Sequence, residues 1–447
     1  MKIAVVGAGV SGLAAAWSLN EHSEHEVHLF EADSRFGGHA NTASFTRPGN
    51  KGANAVDVDT GFIVFNPSTY PNFLRFLSLY PELEAAIQPT EMTFSVSRDD
   101  GQFEWAGKTL GSVFCQPQRL FDRNMWRMLY DILRFNACAT MLLLEPERKQ
   151  DLSIGEYLER EGYSAAFRDD YLIPMTAAVW STPPDKCALG FPARTLIQFM
   201  YNHHLLQIIG KPSWLTLRGG SRIYVDHIIS LIPSPQLHLN TPVRAVSTTL
   251  ALGPDQHQVE LQTESGDTHT FDHVIFACHA DTTLKSLRAG KGLTEEEERI
   301  LSAFQFSGNE AILHADIRLM PKKRVAWSCW NYLTYSEIDT ATGRKKANVD
   351  KVALTYCMND LQHISEAEHG SVLVTLNPPF DPRAEEVVAR YKYEHPVIDV
   401  EAVRAQDLLP SIQNIRGISY AGAWTKYGFH EDGFTSGLRA ALSLQGM

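Results

Sequence analysis

Cysteine is scarce in this chain of 447 residues. There are six, Cys115, Cys138, Cys187, Cys278, Cys329 and Cys357, with no C-x-x-C pair and no histidine at zinc-ligand spacing. No metal site is expected, and reduced, mostly buried thiols in a reducing compartment are. Long apolar runs are missing too. No stretch reaches the ~18 uninterrupted apolar residues of a membrane span. No charged leader with its own apolar run precedes the first strand-like segment at Lys2. The sequence therefore predicts a cytoplasmic protein, with peripheral membrane contact left open. Positive charge is in deficit: 40 Lys and Arg against 52 Asp and Glu give a net charge of -12. Such a surface repels a polyphosphate backbone, so nucleic acid is not an expected partner. No internal repeat or low-complexity tract is present, which excludes solenoids. With 44% hydrophobic and 21% charged residues the composition is that of an ordinary globular protein. The length suits two or three domains, or one large architecture with an interleaved second domain. Nothing in these numbers sets the oligomeric state.

What is present begins at the N-terminus. Lys2–Val6 reads K-I-A-V-V, a buried parallel strand by its apolar and β-branched content. Gly7-Ala8-Gly9-Val10-Ser11-Gly12 follows, then the helical run Leu13–Leu19. Each glycine has its own task. Gly7 permits the tight turn, Gly9 lets a pyrophosphate approach the backbone at Val10 and Ser11, and Gly12 lets the helix pack on the strand. The helix N-terminus offers free N–H groups and the positive end of its dipole to phosphate. A second strand, Glu26–Phe30, ends at Glu31, about twenty residues after the glycines. A carboxylate there accepts both hydroxyls of an adenosine ribose. Glycines and acid together predict a dinucleotide site, without separating NAD from FAD.

The continuation does separate them. Glu31-Ala32-Asp33-Ser34-Arg35-Phe36-Gly37-Gly38-His39 resembles the E-x-x-x-R-x-G-G block of flavin amine oxidases and phytoene desaturases. The resemblance implies that Glu31, Ala32, Arg35, Gly37, Gly38 and His39 run beside FAD. Arginine offers a fork of donors to phosphate, and glycines let backbone come close. Asp57–Phe62 resembles the next block of that superfamily and places Asp59, Thr60 and Gly61 near the flavin. Asp272–Cys278 resembles its D-x-V-I-x-A strand, ending at Ala277, and Leu239–Val246 resembles the segment in which Val243 contacts adenine. At the other end, Ser419–Trp424 and Gly428–Gly437 resemble the C-terminal FAD block. There Gly422, Ala423, Glu431, Asp432, Gly433 and Phe434 would meet the cofactor, and a helix N-terminus would stabilise the reduced flavin. Ala423 stands where many relatives carry an acid that binds a ribityl hydroxyl. The block has no cysteine, so the FAD is expected to be non-covalent, with His39 the remaining candidate tether.

The resemblance implies an α/β fold: an FAD-binding Rossmann-like domain of glutathione-reductase type with an interleaved α+β substrate domain of amine-oxidase type. Its FAD blocks assign 1–70, 215–280 and 405–447 to the FAD-binding domain. The substrate domain is then 71–214, read as mainly helical from Leu120–Leu144 and Phe199–Trp214, and 281–404. In the second piece Thr294 caps a helix with an acidic first turn. Strand-like runs follow at Ala311–Asp316, Val325–Tyr332, Val352–Met358 and Val372–Asn377.

Further blocks cover most of the chain: Tyr171–Met175, Ala178–Pro183, Phe191–Ala193, Tyr201–His204, Leu217–Ser221, Leu319–Pro321 and Tyr427–Gly433. They resemble flavoproteins associated with cyclopropane fatty acid synthases, a set that also includes polyunsaturated fatty acid isomerases. That resemblance implies a small-molecule apolar substrate, an unsaturated acyl or lipid-like chain, altered by hydride transfer. A flavin amine oxidase acting on a small amine, and a non-catalytic flavin-binding partner of a lipid-modifying enzyme, are the alternatives. Candidate catalytic residues are His430, Glu431 and Tyr427. His430 beside Glu431 suits proton transfer near neutrality, or else a hydrogen bond to flavin or backbone. Trp424, Tyr427, Trp327, Trp330 and Tyr332 supply aromatic rings for a substrate cage or for ordinary packing.

Overall fold

The computed structural model describes residues 1–49, 54–146, 152–180, 189–207, 213–250, 257–338, 345–347 and 353–445. Cys187, Ser181–Pro183, Val352 and positions 208–212 of the Phe199–Trp214 stretch lie outside them.

Strand β1 (Lys2–Val6) is followed by helix α1 (Val10–His22) and strand β2 (Glu26–Phe30). Ile3, Ala4, Val5, Val27 and Leu29 are wholly buried, which is why the run is apolar rather than alternating. β1 lies at the centre of a five-stranded parallel sheet. The order is Ile418–Tyr420, His273–Phe276, β1, β2, Leu237–His238. In such a sheet ligands sit beyond the carboxyl ends of the strands. Here those ends deliver Gly7, Glu31 and Ala277 side by side. α1 packs against the C-terminal helix His430–Leu442. A Cβ at Gly437 would stand 2.0 Å from the Ser11 carbonyl oxygen, so only glycine permits that approach.

A short ribbon, β3 (Thr42–Phe45) and β4 (Val56–Asp59), and helix α2 (Pro71–Leu77) follow. Phe73, Phe76 and Leu77 of α2 join the apolar core under the parallel sheet, although 71 is where the substrate segment was expected to begin.

The second layer is a seven-stranded mixed sheet. Its order is Val387–Val397, Gln305–His314, Leu373–Leu376, Ala353–Cys357, Trp330–Thr334, Phe94–Arg98, Phe103–Ala106. The stretch 71–214, expected to be mainly helical, thus contributes the last two strands. Phe94–Arg98 pairs in parallel with Trp330–Thr334. The expected strand at Val325–Tyr332 begins later. Residues Arg324–Ala326 form a single turn held by the Trp327 indole, which donates to the Pro321 carbonyl at 2.8 Å. Helices Arg123–Cys138, Ile154–Glu161 and Ala193–Asn202 pack with this sheet into the largest core cluster, which includes Phe135, Tyr157, Phe199 and Tyr332. Among the described residues no helix is long and apolar enough to cross a membrane.

Candidate active site: a cofactor groove continuous with an apolar chamber

A single cavity of about 830 Å³ runs from the carboxyl ends of the parallel sheet to the face of the mixed sheet. At its nucleotide end the turn after β1 does what its glycines require. Gly7 adopts φ +100°, and a Cβ on Gly12 would lie 1.8 Å from the Gly7 carbonyl oxygen. A Cβ on Gly9 would meet nothing within 4 Å, so open space remains over that peptide. Gly9 caps α1 without any side-chain acceptor, and no acidic residue sits in the first turn. The N–H groups there are left for an anion.

Glu31 is fixed by its neighbours. The Ala8 N–H donates to Oε2 at 2.7 Å and the Asp33 N–H to Oε1 at 2.8 Å. Each oxygen keeps a further lone pair for a ribose hydroxyl. Gly37 and Gly38 have φ +111° and +56°, and a Cβ on Gly38 would lie 3.0 Å from the Gly9 Cα. The paired glycines therefore fold directly over the phosphate turn. Two buried polar atoms beside it have no partner: Nη1 of Arg35 and Nε2 of His39. Orphaned buried donors cost about 1–3 kcal/mol each, and a bound dinucleotide phosphate and ribityl chain would satisfy them. The residues fit FAD on these grounds.

The cavity wall carries Gly7, Gly9, Val10, Ser11, Glu31, Ala32, Gly37, Gly38, His39, Thr60, Gly61, Val243, Ala277, Gly422, Ala423, Tyr427 and His430. Arg35 and Gly12 are not on this wall, Arg35 standing near His39 and Gly12 packing α1 on β1, and the other expected contacts lie behind it. Asp59 is buried in a cluster of its own, accepting from the Thr42 and Ser221 hydroxyls at 2.7 Å and from the Gln362 amide at 3.0 Å. Burial pushes its carboxyl up to about 6 despite these donors. Asp59 ends β4 and turns inward, and the chain leaves the strand there, so that Thr60 and Gly61 reach the wall. Gly433 serves packing: a Cβ there would lie 2.7 Å from Val10 Cγ1. Phe434 is core, edge-on to Phe73.

The side chains of Glu431 and Asp432 turn away from this wall. Glu431 Oε1 accepts from the backbone and side-chain amides of Asn72, each at 3.0 Å, and Oε2 from the Phe73 N–H at 3.0 Å. It caps α2, whose first N–H groups need acceptors, and does not line the groove. Asp432 caps its own helix by accepting from the Phe429 N–H at 3.0 Å. Both border a second cavity of about 760 Å³.

His430 lines the main cavity, but its ring is held from several sides. It stacks on Phe62 with centroids 3.6 Å apart, and its Nε2 lies 2.9 Å from the Tyr224 hydroxyl. Burial pushes its imidazole down to about 3. The neutral ring is the form that this burial favours, and the Tyr224 hydroxyl and Phe62 fix its orientation at the wall. Tyr427 is half-buried and edge-on to Phe199, and burial with Asp432 nearby raises its phenol above the ordinary value.

Of the aromatic candidates, Trp330 lines the chamber, edge-on to Tyr356 at 5.4 Å, with its indole Nε1 buried and unpartnered. Trp424 lines the wall but donates to the Cys278 carbonyl and packs on Phe304. Trp327 and Tyr332 are not on the wall. Cys278 is, but its thiol lies 3.3 Å from the Thr283 hydroxyl and burial pushes it up to about 11, so it offers no thiolate to tether a flavin.

Several wall residues escaped the sequence reading. Tyr393 and His395 come from the long strand Val387–Val397. The Tyr393 hydroxyl sits 2.7 Å from that of Thr60 and accepts from the Asn41 amide at 2.9 Å, joining the mixed sheet to the cofactor loop. Alternation of Tyr391, Tyr393 and His395 with charged residues was the available signal. Phe62, Trp214, Tyr356 and Leu376 lie in segments the sequence marks, the Asp57–Phe62 block, the Phe199–Trp214 stretch and the runs Val352–Met358 and Val372–Asn377, but nothing in those segments singles them out.

The model of the flavin containing amine oxidoreductase family matches residues 10–312. The chain belongs to that family. As a flavin amine oxidoreductase it is an FAD-dependent oxidoreductase, and the cofactor of this family is typically bound non-covalently. Solved structures agree on the fold over full length. The CLA-producing fatty acid isomerase from P. acnes is 13% identical with a TM-score of 0.62, covering 99% of this chain and 98% of that one. Cyclohexylamine oxidase from Brevibacterium oxydans is 14% identical, with a TM-score of 0.65 and coverage of 100% and 98%. Putrescine oxidase is 14% identical, with a TM-score of 0.66 and full coverage of both chains.

Glu31→Ala is expected to weaken FAD binding without unfolding the chain. Removing a charged acceptor costs about 1.5–3 kcal/mol, or roughly tenfold to more than a hundredfold in Kd. Titration of the apoprotein with FAD measures it, and unchanged affinity would remove Glu31 from the site.

Proposed function

We propose that this flavin amine oxidoreductase acts by hydride transfer on an apolar, unsaturated acyl or lipid-like chain, in a net oxidation, a desaturation or a redox-neutral isomerisation. One observation carries the reading: the chemistry of the chamber beyond the cofactor residues. Met92, Phe199, Leu205, Trp214, Trp330, Tyr356 and Leu376 line it. None is charged. Glu394, the carboxylate that the mixed sheet adds to the wall, lies outside this group, more than half exposed and hydrogen-bonded to His279 at 3.2 Å. Among these chamber residues an ammonium substrate would find no counter-charge, at a desolvation cost an alkyl chain does not meet. An amine cage also needs two parallel rings with a slot between them. The stacked pairs on this wall, Phe62 with His430 at 3.6 Å, Phe199 with His203 at 3.9 Å and with Phe429 at 5.1 Å, and His279 with Phe306 at 4.3 Å, are in contact, and Trp330 meets Tyr356 at 85°. The free Trp330 indole N–H adds a single donor for a carbonyl or carboxylate oxygen of the chain.

Bound flavin supplies a two-electron, hydride-accepting centre. The protein's own part is to exclude water with the aromatic wall and to align one C–H bond of the chain with that centre. The fatty acid isomerase among the structural relatives acts on this substrate class, and the two amine oxidases do not.

Anaerobic addition of unsaturated fatty acids should bleach the visible flavin absorbance, or convert the lipid into a positional isomer detected by gas chromatography. Met92→Trp, which fills the chamber, should slow that turnover on the order of tenfold or more and leave flavin content unchanged. Rapid peroxide release from a primary or secondary amine, with no response to any unsaturated fatty acid, would replace this reading with amine oxidation.

A further inference from the structure

Large apolar side chains gather on one outer face of the molecule, far in function from the cofactor groove. Phe121, Trp126, Tyr130, Leu133, Met141 and Leu144 are all between 51% and 89% exposed. Three of them lie on helix Arg123–Cys138 at 126, 130 and 133, a spacing that forms one stripe. The opposite face of this helix is ordinary core: Met125, Met128, Ile132 and Phe135 are buried in the cluster that also holds Phe199 of the chamber wall. The helix is therefore apolar on two faces. The loop before it is fixed in place, because the Trp126 indole donates to the Leu120 carbonyl at 2.8 Å and its ring lies 5.2 Å from Phe114.

Charge identifies what such a face would meet. The chain as a whole carries -12, yet 110–144 contains four arginines, two aspartates, no lysine and no glutamate. Both aspartates are spent inside the fold. Asp122 caps the helix and pairs with Arg119 at 2.7 Å. Asp131 is buried and accepts from Arg127 at 2.9 Å and from the Ser164 N–H at 3.0 Å. Arg123 and Arg127 stand in a row beside the aromatic stripe, while Arg134 turns inward onto Asp131, the Glu161 carbonyl and the Tyr163 ring. Arg123 is exposed in the first helical turn and pairs with no carboxylate among the described residues. A cation there opposes the helix dipole unless an anion covers it. Trp and Tyr beside Arg is the composition of a helix lying in a lipid headgroup layer.

We infer that this face docks onto an anionic lipid surface, with helix Arg123–Cys138 lying in the plane of the interface. A second copy of the chain is the less favoured occupant. The arginine row would then have to find paired carboxylates on the other copy, and it would be covered only at concentrations that drive dimerisation. The docking does not depend on the substrate being a lipid, and its readout is separate from turnover.

The experiment is sedimentation of the full-length holoprotein with vesicles of pure phosphatidylcholine or of phosphatidylcholine mixed with phosphatidylglycerol. Binding is expected to the mixed vesicles and to fall with added salt. Trp126→Asp and Phe121→Asp should each abolish it. Arg123→Gln should weaken it about fivefold, the effect of one arginine at such a surface. Phe121 and Arg123 are exposed, so flavin content and thermal midpoint of their variants should match wild type. Trp126→Asp also loses the bond to Leu120, so its thermal midpoint should fall slightly while its flavin content should match wild type and exclude misfolding. Wild-type protein that stays in the supernatant with both vesicle types would overturn the proposal. So would variants that bind as well as wild type. A concentration-dependent dimer in sedimentation velocity that Trp126→Asp dissolves would assign the face to a second copy instead.

Discussion

Gly12→Val should leave a colourless protein that FAD does not reconstitute. The added Cβ would stand 1.8 Å from the Gly7 carbonyl oxygen and 3.3 Å from the Ala277 side chain. The first neighbour is backbone and cannot rotate away. α1 must therefore lift off the sheet, which opens the turn and moves the N–H groups meant for phosphate. Overpacking of this kind costs about 3 kcal/mol or more, and the cofactor's own stabilisation is lost with it. Gly9→Ala is the control, since a Cβ there meets no protein atom within 4 Å. It should leave apoprotein stability unchanged while weakening FAD binding. Visible absorbance after reconstitution and the thermal midpoint of the apoprotein separate the two effects. A yellow Gly12→Val protein of ordinary stability would mean that the turn has another shape.

Arg416→Ala should be the most destabilising single change outside the cofactor turn. Arg416 is 8% exposed, and its Nε donates to both oxygens of Glu297 at 3.0 and 3.1 Å. Glu297 also accepts from the Tyr420 hydroxyl at 2.6 Å and caps its own helix through Thr294. The group ties the strand Ile418–Tyr420 to the helix Glu295–Leu301. Deleting the arginine leaves a buried carboxylate without its cation, at a cost of about 3–5 kcal/mol. The double variant Arg416→Met with Glu297→Gln removes both charges and should recover much of that loss. Chemical denaturation of wild type, single and double variants measures it. An additive double variant would show that the pair is not coupled.

The sequence was most legible where a local backbone demand admits one residue type. Gly7, Gly12 and Gly37 answer to a positive φ or to a contact no Cβ survives, and Glu31 follows from its place at the end of β2. Reading was poorer where position alone decides. Glu431 follows His430 by one residue, which turns it about 100° around the helix, away from the groove and toward the first turn of α2. Its partners Asn72 and Phe73 are more than 350 residues earlier in the chain, and no spacing announces them. Asp59 and Thr60 show the same effect where a strand ends. Tyr393 and His395 reach the cavity because an eleven-residue strand carries them there, and that strand is recognisable only from an alternation interleaved with charge. The family blocks could show which segments approach the cofactor. They could not show which side chain of each segment turns toward it.

The parallel sheet joins β1 to a strand at Ile418–Tyr420 across His273–Phe276, and α1 to the helix His430–Leu442. During synthesis, the glycine turn therefore emerges hundreds of residues before the elements that close over it. A nascent chain holds the fingerprint without a groove, and the apolar faces of β1 and α1 must wait uncovered or be shielded by chaperones. Cofactor capture then belongs to the last moments of translation or after it. Premature termination anywhere before His430 should yield a polypeptide that retains no flavin, however complete its N-terminal fingerprint.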